Sequence, residues 1–435
     1  MKLRQALRLS EAPCVALVGA GGKSTALFQL ARQFPPPVLL SATTHLAAEQ
    51  VALADRHVIL PRPGPLPWDG VVLVTGPATE PPEKLRGVDS ATLGHLRSEA
   101  QQRRVPFLLE CDGSRCKPLK APAQHEPPIP EFVEGVVMVV GLGGLGKPLD
   151  EAWVHRAERF AHLSGLQMGE RITPEALARL LNHPQGGLKN IPPAARRVVL
   201  LNQADDAESQ ALGARLAEAL LPVWDAVLVA SLAREEVFAV HERVAGIVLA
   251  AGAARRFGAP KQVMEWEGKP LVRHVAECAL EAGLRPVIVV TGSAHGRVEA
   301  ALQNLNVSLR FNAEWESGQA SSVRAGIQAL RDLDPGSGAA IFLLADQPGV
   351  TPQVIRALIE RHAAGLPPIV APLVQGQRAN PVLFDRVTFD DLLRLEGDRG
   401  GRALFARYPV AYLPWHDEGL LLDIDMPEDL ERWRR

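Results

Sequence analysis

Two α/β domains, each built on a mostly parallel sheet, are what this sequence predicts. Apolar runs of strand length recur along the chain. Within them hydrophobicity is continuous rather than alternating, the pattern of strands covered by helices on both faces. Segments with helical spacing separate these runs, and the series starts twice, each time with a strand that feeds a glycine-rich loop. At 435 residues the chain is also too long for one ordinary core.

The first series reads "CVALVGA", "PVLLSATT", "GVVLVTG", "PFLLECDG", "GVVMVVGL", "RRVVLLNQ" and "AVLVAS". The second reads "VAGIVLAAG", "PVIVVTG", "AAIFLLADQ", "PIVAPLV" and "LLLDID", interleaved with the helical patterns "PLVRHVAECALEAG", "SSVRAGIQALRDL" and "TPQVIRALIERHA". The join falls near Val240–Arg243, which gives domains of residues 1–240 and 241–435 with no Ser/Gly linker between them.

Composition narrows the function. Hydrophobic residues at 47% and charged residues at 22% are those of a soluble globular protein. A net charge of −2 offers no general attraction to nucleic acid or to an anionic membrane, so any anion site must be local. Apolar runs such as "GVVMVVGLGGLG" fall short of the roughly 20 residues of a membrane span. Glu11 and Pro13 interrupt the start where a signal peptide would be apolar, so a cytoplasmic protein is expected. Cys14, Cys111, Cys116 and Cys278 lack the paired spacing of a zinc site and read as free thiols. Positive charge is carried mainly by arginine, which makes Lys23 and Lys261, both in glycine-rich loops, candidates for point-charge contact with phosphate.

The loop that opens the second series, "GIVLAAGAARRFGAPKQ" at residues 246–262, lies beyond the carboxyl end of its strand, where α/β sheets bind ligands. Leu249, Ala250, Ala251, Gly252 and Gly258 let backbone approach a nucleotide, and Arg256 and Lys261 can neutralise its phosphates. Another strand, "AIFLLADQP", ends in Asp346, and "LLLDIDMPEDL" supplies Asp423 and Asp425. Carboxylates meeting at one sheet edge can hold Mg²⁺ against a nucleotide.

These stretches, with "NAEWESGQASSVRAGI" and "GQRANPVLF" in the same order, resemble the MobA/MocA-type nucleotidyltransferases over residues 244–435. "LAAG" and "DQP" are similar to the branch that makes the cytosine dinucleotide form of the molybdenum cofactor. The resemblance implies a GT-A/Rossmann-like domain with CTP and molybdopterin as substrates and Mg²⁺ as the metal. It makes Arg256, Lys261 and Asp346 catalytic, Asp346, Asp425 and Asp423 metal ligands, and Arg378, Asn380 and Pro381 contacts to the pterin. Here Ala379 and Asn380 stand where the family more often has glycine and then histidine or serine. A guanylyl or sugar-phosphate transferase, or a carrier that only holds the cofactor, are the rival readings.

In the first series, "VALVGAGGKSTALFQLA" is a strand, a turn with Gly19, Gly21 and Gly22, and a helix opening with Lys23, Ser24 and Thr25. That arrangement suits a phosphate at a helix amino terminus, with the lysine reaching forward and a hydroxyl on Mg²⁺, so ATP or GTP is the expected ligand. "LNQAD" at 201–205 departs from a guanine-reading N-K-x-D by Gln203. "ECDGSRCKPLKAPAQHEPPIP" gathers Glu110, Asp112, Ser114, Lys117, Lys120, His125 and Glu126 around a strand end, and "TTH" adds His45. Together with "VVGLGGLGKPL" and "VHR" ending at Arg156, these motifs resemble the YqeC family over residues 10–235. That family is associated with maturation of selenium-dependent molybdenum hydroxylases. The resemblance implies a client enzyme of the xanthine dehydrogenase type and leaves metal or pterin contact open for His45, His125 and His155.

Overall fold

The computed structural model describes residues 1–61, 65–79, 84–252 and 260–422. It divides into two compact units, Met1–His241 and Glu242–Arg435. A strand occupies Glu236–Glu242 and the next begins at Val244, so only Arg243 lies between them.

The main strands of the first unit are β1 (Cys14–Gly19), β2 (Val38–Ala42), β3 (Arg56–Ile59), β4 (Val71–Thr75), β5 (Phe107–Glu110), β6 (Gly135–Gly141), β7 (Arg196–Asn202), β8 (Ala226–Ser231) and β9 (Glu236–Glu242). They form one nine-stranded sheet in the order β9-β8-β7-β6-β1-β5-β2-β4-β3. Every ladder from β3 across to β8 is parallel. The central strands β1, β2, β4, β5 and β8 are buried along their whole length, which is why their sequences are apolar without alternation.

Helices α1 (Lys23–Ala31), α2 (Ser90–Arg103), α3 (Ala157–Ser164), α4 (Pro174–Asn182) and α5 (Ala207–Leu220) join them. The sequence Thr173-Pro174 starts α4 as chemistry dictates: proline cannot donate at the first position, and the threonine oxygen accepts from Ala176 N at 3.2 Å. Asp206 and Ser209 cap α5 reciprocally. Phe107, Phe160 and Trp224 are fully buried in the shared core, each worth about 1.5–3 kcal/mol by transfer from water.

The second unit has β10 (Val244–Ala250), α6 (Leu271–Glu281), β11 (Val287–Thr291), α7 (His295–Ala301), β12 (Ser308–Phe311), α8 (Gln319–Leu333), β13 (Ala339–Leu344), α9 (Pro352–Ala363), β14 (Ile369–Val374), β15 (Gln377–Arg378), β16 (Val382–Asp385) and β17 (Val410–Pro414). The sheet order is β12-β11-β10-β13-β16-β14-β15, with β17 paired to β14. This sheet too is mostly parallel, β14 and β17 included, with antiparallel pairings at β16 and β15. The β12-β11-β10-β13 half is parallel, whereas β16 runs antiparallel to both β13 and β14. The leucines of "LLLDID" also depart from the expected strand: Glu418–Leu421 forms a 3-10 turn, and residues from Asp423 onward lie outside the described set. Among the described residues, no helix is long and apolar enough to cross a membrane.

Candidate functional sites

In the first unit the site grows from the register of neighbouring strands. Leu17 of β1 stands beside Glu110 of β5, which brings Asp112, two residues on, beside Gly19. Alternation along an extended chain sends Glu110 and Asp112 to one face, while Cys111 is buried in the core. Asp112 accepts from Gly19 N through both carboxylate oxygens, at 3.1 and 3.0 Å. Its own cations are Lys23, at 3.3 Å, and Lys120, at 2.8 Å. Lys120 also reaches Glu126 at 2.9 Å, and Arg156 closes on Glu126 with both ends of its guanidinium, at 2.8 and 2.9 Å. A continuous chain of alternating charge, Lys23–Asp112–Lys120–Glu126–Arg156, therefore runs below the loop. All but Arg156 are buried.

The loop itself behaves unlike its glycine content suggests. Gly19, Gly21 and Gly22 all have positive φ, which a side chain would resist. Yet the amides of Gly19, Ala20 and Gly21 are already used, by Asp112, Val139 O and Lys117 O. The donors left for an anion are those of the first turn of α1, from Gly22 to Thr25, which have no intrahelical partner. Lys23 folds back, giving a 2.8 Å hydrogen bond to Gly19 O. Ser24 Oγ donates to Glu110 Oε2 at 2.9 Å and accepts from Gln50 Nε2 at 2.6 Å. Burial pushes the Glu110 carboxyl above the ordinary carboxylate range, against the pull of Lys23 and Ser24.

Above this floor lies a cleft of about 1200 Å³. His45, His125 and His155 all line it, as do Glu110 and Glu126. Burial, reinforced by the Arg156, Lys120 and Arg115 cations, lowers His155 to about 4, so its imidazole is neutral. Burial alone would raise Glu126, but Arg156 and Lys120 outweigh it and hold the carboxyl at about 2. Among the described residues, no three His, Cys, Asp or Glu side chains gather to hold a metal ion. The hard-oxygen set that does meet here is Ser24, Glu110 and the unpartnered, buried Gln50 Oε1, which suits Mg²⁺ completed by phosphate oxygens. Asn202 has a structural duty, tying Gly21 O to Leu232 N, and Gln203 accepts from Gly143 N.

In the second unit the facing lysine and aspartate are less buried than Lys23 and Asp112. Leu249 and Ala250 end β10, Ala251 follows it, and the carbonyl of Gly252 is pinned by Gln262 Nε2 at 2.6 Å and Ser293 Oγ at 3.0 Å. Lys261 Nζ stands 4.0 Å from Asp346 Oδ2, just past the end of β13. Arg256 and Gly258, with Asp423 and Asp425, lie outside the described residues. Arg378 is exposed with its guanidinium 5.4 Å from the Phe405 ring centroid; Asn380 is half-buried and Pro381 buried at the start of β16.

Several motif residues hold the frame instead. Asn312 Nδ2 donates to Ser321 and Ser322 Oγ at 2.8 and 3.0 Å, and Arg324 Nη1 donates to Leu395 O at 2.6 Å. Gly318 has φ of 108°, and a Cβ there would meet Gly397 O at 2.6 Å. Sequence reasoning placed Lys120 in the polar cluster and missed Gln50, Arg156, Gln262 and Ser293. The only signal for Arg156 was its place inside a quoted motif.

Residues 15–158 match the model of the YqeC protein family, and residues 246–412 match that of the MobA-like NTP transferase domain. The YqeC protein of Escherichia coli (strain K12) is 32% identical over 202 residues, covering 45% of this chain and 77% of that protein. The nicotine blue oxidoreductase of Paenarthrobacter nicotinovorans is 30% identical over 200 residues, covering 43% of this chain and 95% of that protein. The chain belongs to the YqeC family and to the MobA-like NTP transferases. The purine catabolism protein PucB of Bacillus subtilis (strain 168) is likewise 30% identical over 200 residues to the MobA-like part, covering 44% of this chain and 95% of that protein. In the YqeC part the match spans the glycine loop, Glu110, Asp112, Lys120, Glu126 and Arg156. In the MobA-like part it spans Gly252, Lys261 and Asp346 and stops before Asp423.

Proposed function

We propose that the MobA-like unit transfers the cytidylyl group of CTP to molybdopterin carrying molybdenum, releasing pyrophosphate. The YqeC unit, on this reading, binds ATP or GTP and serves the modification of that cofactor or its delivery to a cytoplasmic molybdenum hydroxylase of the xanthine dehydrogenase type. The observation that carries the transferase reading is the meeting of Lys261 and Asp346, 4.0 Å apart at the sheet edge, in a unit of the MobA-like NTP transferase family. The name of PucB, which points to purine catabolism, accords with a client that oxidises a purine.

In the reaction, a terminal phosphate oxygen of the pterin forms a bond to the α-phosphorus of CTP. The bond from that phosphorus to the bridging oxygen breaks, and pyrophosphate leaves in line. No side-chain nucleophile is required; positioning and charge do the work. Lys261 meets the negative charge that builds on the phosphates, with Arg256 assigned the same duty. Gln262 and Ser293 fix the Gly252 carbonyl and hence the path of the backbone that the nucleotide meets. Asp346 offers a hard, partly exposed carboxylate that fits Mg²⁺, with Asp423 and Asp425 as its further ligands. Bound there, the ion would supply positive charge between the phosphates. Arg378, Asn380 and Pro381 are assigned to the pterin side.

The test is pyrophosphate release by the full chain with Mg²⁺ and molybdenum-loaded molybdopterin, comparing CTP, GTP and ATP, with Asp346→Ala as control. Turnover with CTP, lost in the variant, supports the reading. Preference for GTP would reassign the nucleotide, and cofactor binding without turnover would favour a carrier.

A further inference from the structure

The stretch "LNQAD" at 201–205 begins at the end of β7, and its side chains tie one wall of the YqeC cleft together. Asn202 is buried, donates through Nδ2 to Gly21 O at 2.7 Å and accepts through Oδ1 from Leu232 N at 2.8 Å. Gln29 of α1 holds the carbonyl of the same leucine at 2.7 Å. The end of β7, the turn after β8 and the glycine loop are therefore joined at one point. A Cβ on Gly22 would lie 2.5 Å from Asn202 Nδ2 and 3.2 Å from Leu232 Cδ1. Beyond Asn202, Asp205 accepts a 2.5 Å hydrogen bond from Ser231 Oγ, on a buried residue that ends β8. Gly22, Asn202, Gln203, Asp205, Leu232 and Ala233 line the cleft together, beside the start of α1.

Asp205 is the charged member of this wall, and it is held without being neutralised. The residue is exposed, one of its oxygens is fixed by Ser231, and among the described residues no lysine, arginine or histidine pairs with it. Among the same residues no group of His, Cys, Asp or Glu forms around it to hold a metal ion. Gln203, where the sequence departs from N-K-x-D, belongs to the frame: with φ at 67° it accepts from Gly143 N at 3.1 Å. That departure leaves the carboxylate in place. An ionised carboxylate accepts and cannot donate, and its two oxygens stand side by side. A base that meets it squarely must present two adjacent N–H donors. Guanine does so with N1–H and its 2-amino group. Adenine and cytosine set an acceptor nitrogen beside their amino group, and uracil has a single N–H between two carbonyls.

We propose that Asp205, fixed by Ser231, reads guanine, so that the nucleotide of the YqeC unit is GTP rather than ATP. The proposal rests on the nucleotide reading given above and narrows it. With the phosphates at the first turn of α1, the nucleoside runs along the wall that Asn202 ties to Gly21, towards Asp205. A base lacking either donor turns a lone pair or nothing at all towards the carboxylate, and a site built for hydrogen bonds rejects such a ligand more strongly than an apolar pocket rejects a misfit.

The experiment follows amide hydrogen exchange of the peptide containing Gly22–Thr25 in the full chain, with Mg²⁺ and increasing GMP-PNP, AMP-PNP or XTP. Because the readout is local to the start of α1, nucleotide bound to the MobA-like unit is not counted. In the native chain half-maximal protection should need about 10–100-fold less GMP-PNP than AMP-PNP. Asp205→Asn can still accept from Ser231 Oγ and sits at an exposed position, so the fold is retained, but one acceptor becomes a donor. It should weaken GMP-PNP about tenfold and improve XTP, whose base keeps N1–H and carries a carbonyl in place of the 2-amino group. Equal protection by GMP-PNP and AMP-PNP, or a ratio unchanged in Asp205→Asn, would overturn guanine selection while the nucleotide site stands. No protection of this peptide by any of the three would remove the nucleotide reading, and the inference with it.

Discussion

The two glycine-rich loops follow the same kind of strand, yet their lysines are held in opposite ways. Lys23 is buried, with Asp112 at 3.3 Å and Gly19 O at 2.8 Å, in a chain of charges that continues to Arg156. Lys261 is only partly covered and faces Asp346 across 4.0 Å. In the first loop the charged groups are buried and hold the architecture as well as the site; in the second the paired groups are less buried, with the Asp346 side chain 31% exposed. A lysine in a glycine loop therefore does not by itself reveal which of the two duties it has.

That contrast can be broken most forcefully at Asp112. Its replacement by alanine strands Lys23 and Lys120 near each other without their shared carboxylate, and should cost about 3–5 kcal/mol in denaturant unfolding of the full chain. Asp346→Ala should behave the other way round. Nucleotidyl transfer should drop about 10²–10³-fold while the unfolding free energy changes by no more than about 0.5 kcal/mol, because the carboxylate is partly solvated. A large stability loss in Asp346→Ala would erase the distinction drawn here.

A smaller effect is expected within the second unit. Gly318→Ala meets the Gly397 carbonyl at a backbone angle that favours glycine, so a cost of about 1–3 kcal/mol is expected in the same unfolding assay. The smallest is a bend in the pH profile of the first unit. His155 is lowered to about 4 from an ordinary 6.5, so the unfolded chain takes up its proton first as pH falls. Its contribution is complete above about 6.5 and is lost on the way down to about 4. His241 is lowered to about 4 as well, so the measurement compares the native chain with His155→Gln; identical slopes between these pH values would remove His155 from the account. Glu126 acts in a lower window, complete above 4.5 and lost towards about 2.

Much of this was legible in the sequence because burial leaves a mark there. β1, β5, β6, β8 and β10 are covered on both faces and read as unbroken apolar runs. β12 and β17 were silent, since their residues are half-buried or exposed and carry no such run. The antiparallel turn of β16 was equally hidden: "PVLF" is apolar whichever direction it pairs. Glu110, Asp112 and Glu126 could be suspected from their density in one segment. Their partners could not be assigned: Ser24 is 86 residues from Glu110, and Arg156 is 30 from Glu126. Gln50 and Gln262 are ordinary residues in ordinary stretches, and only the fold reveals that one meets Ser24 and the other holds Gly252.

The clamped state of Lys23 has one more consequence. With Asp112 against it, the start of α1 presents a cation whose charge is already answered before any ligand arrives. A small, singly bound anion gains little by competing with a buried carboxylate for that ammonium. A polyphosphate, which also engages the amides from Gly22 to Thr25 and the hydroxyl of Ser24, can draw the lysine forward at a net gain. On the nucleotide reading proposed above, the resting loop would then work as a threshold, favouring chains of phosphate over the single sulfate and phosphate of its surroundings.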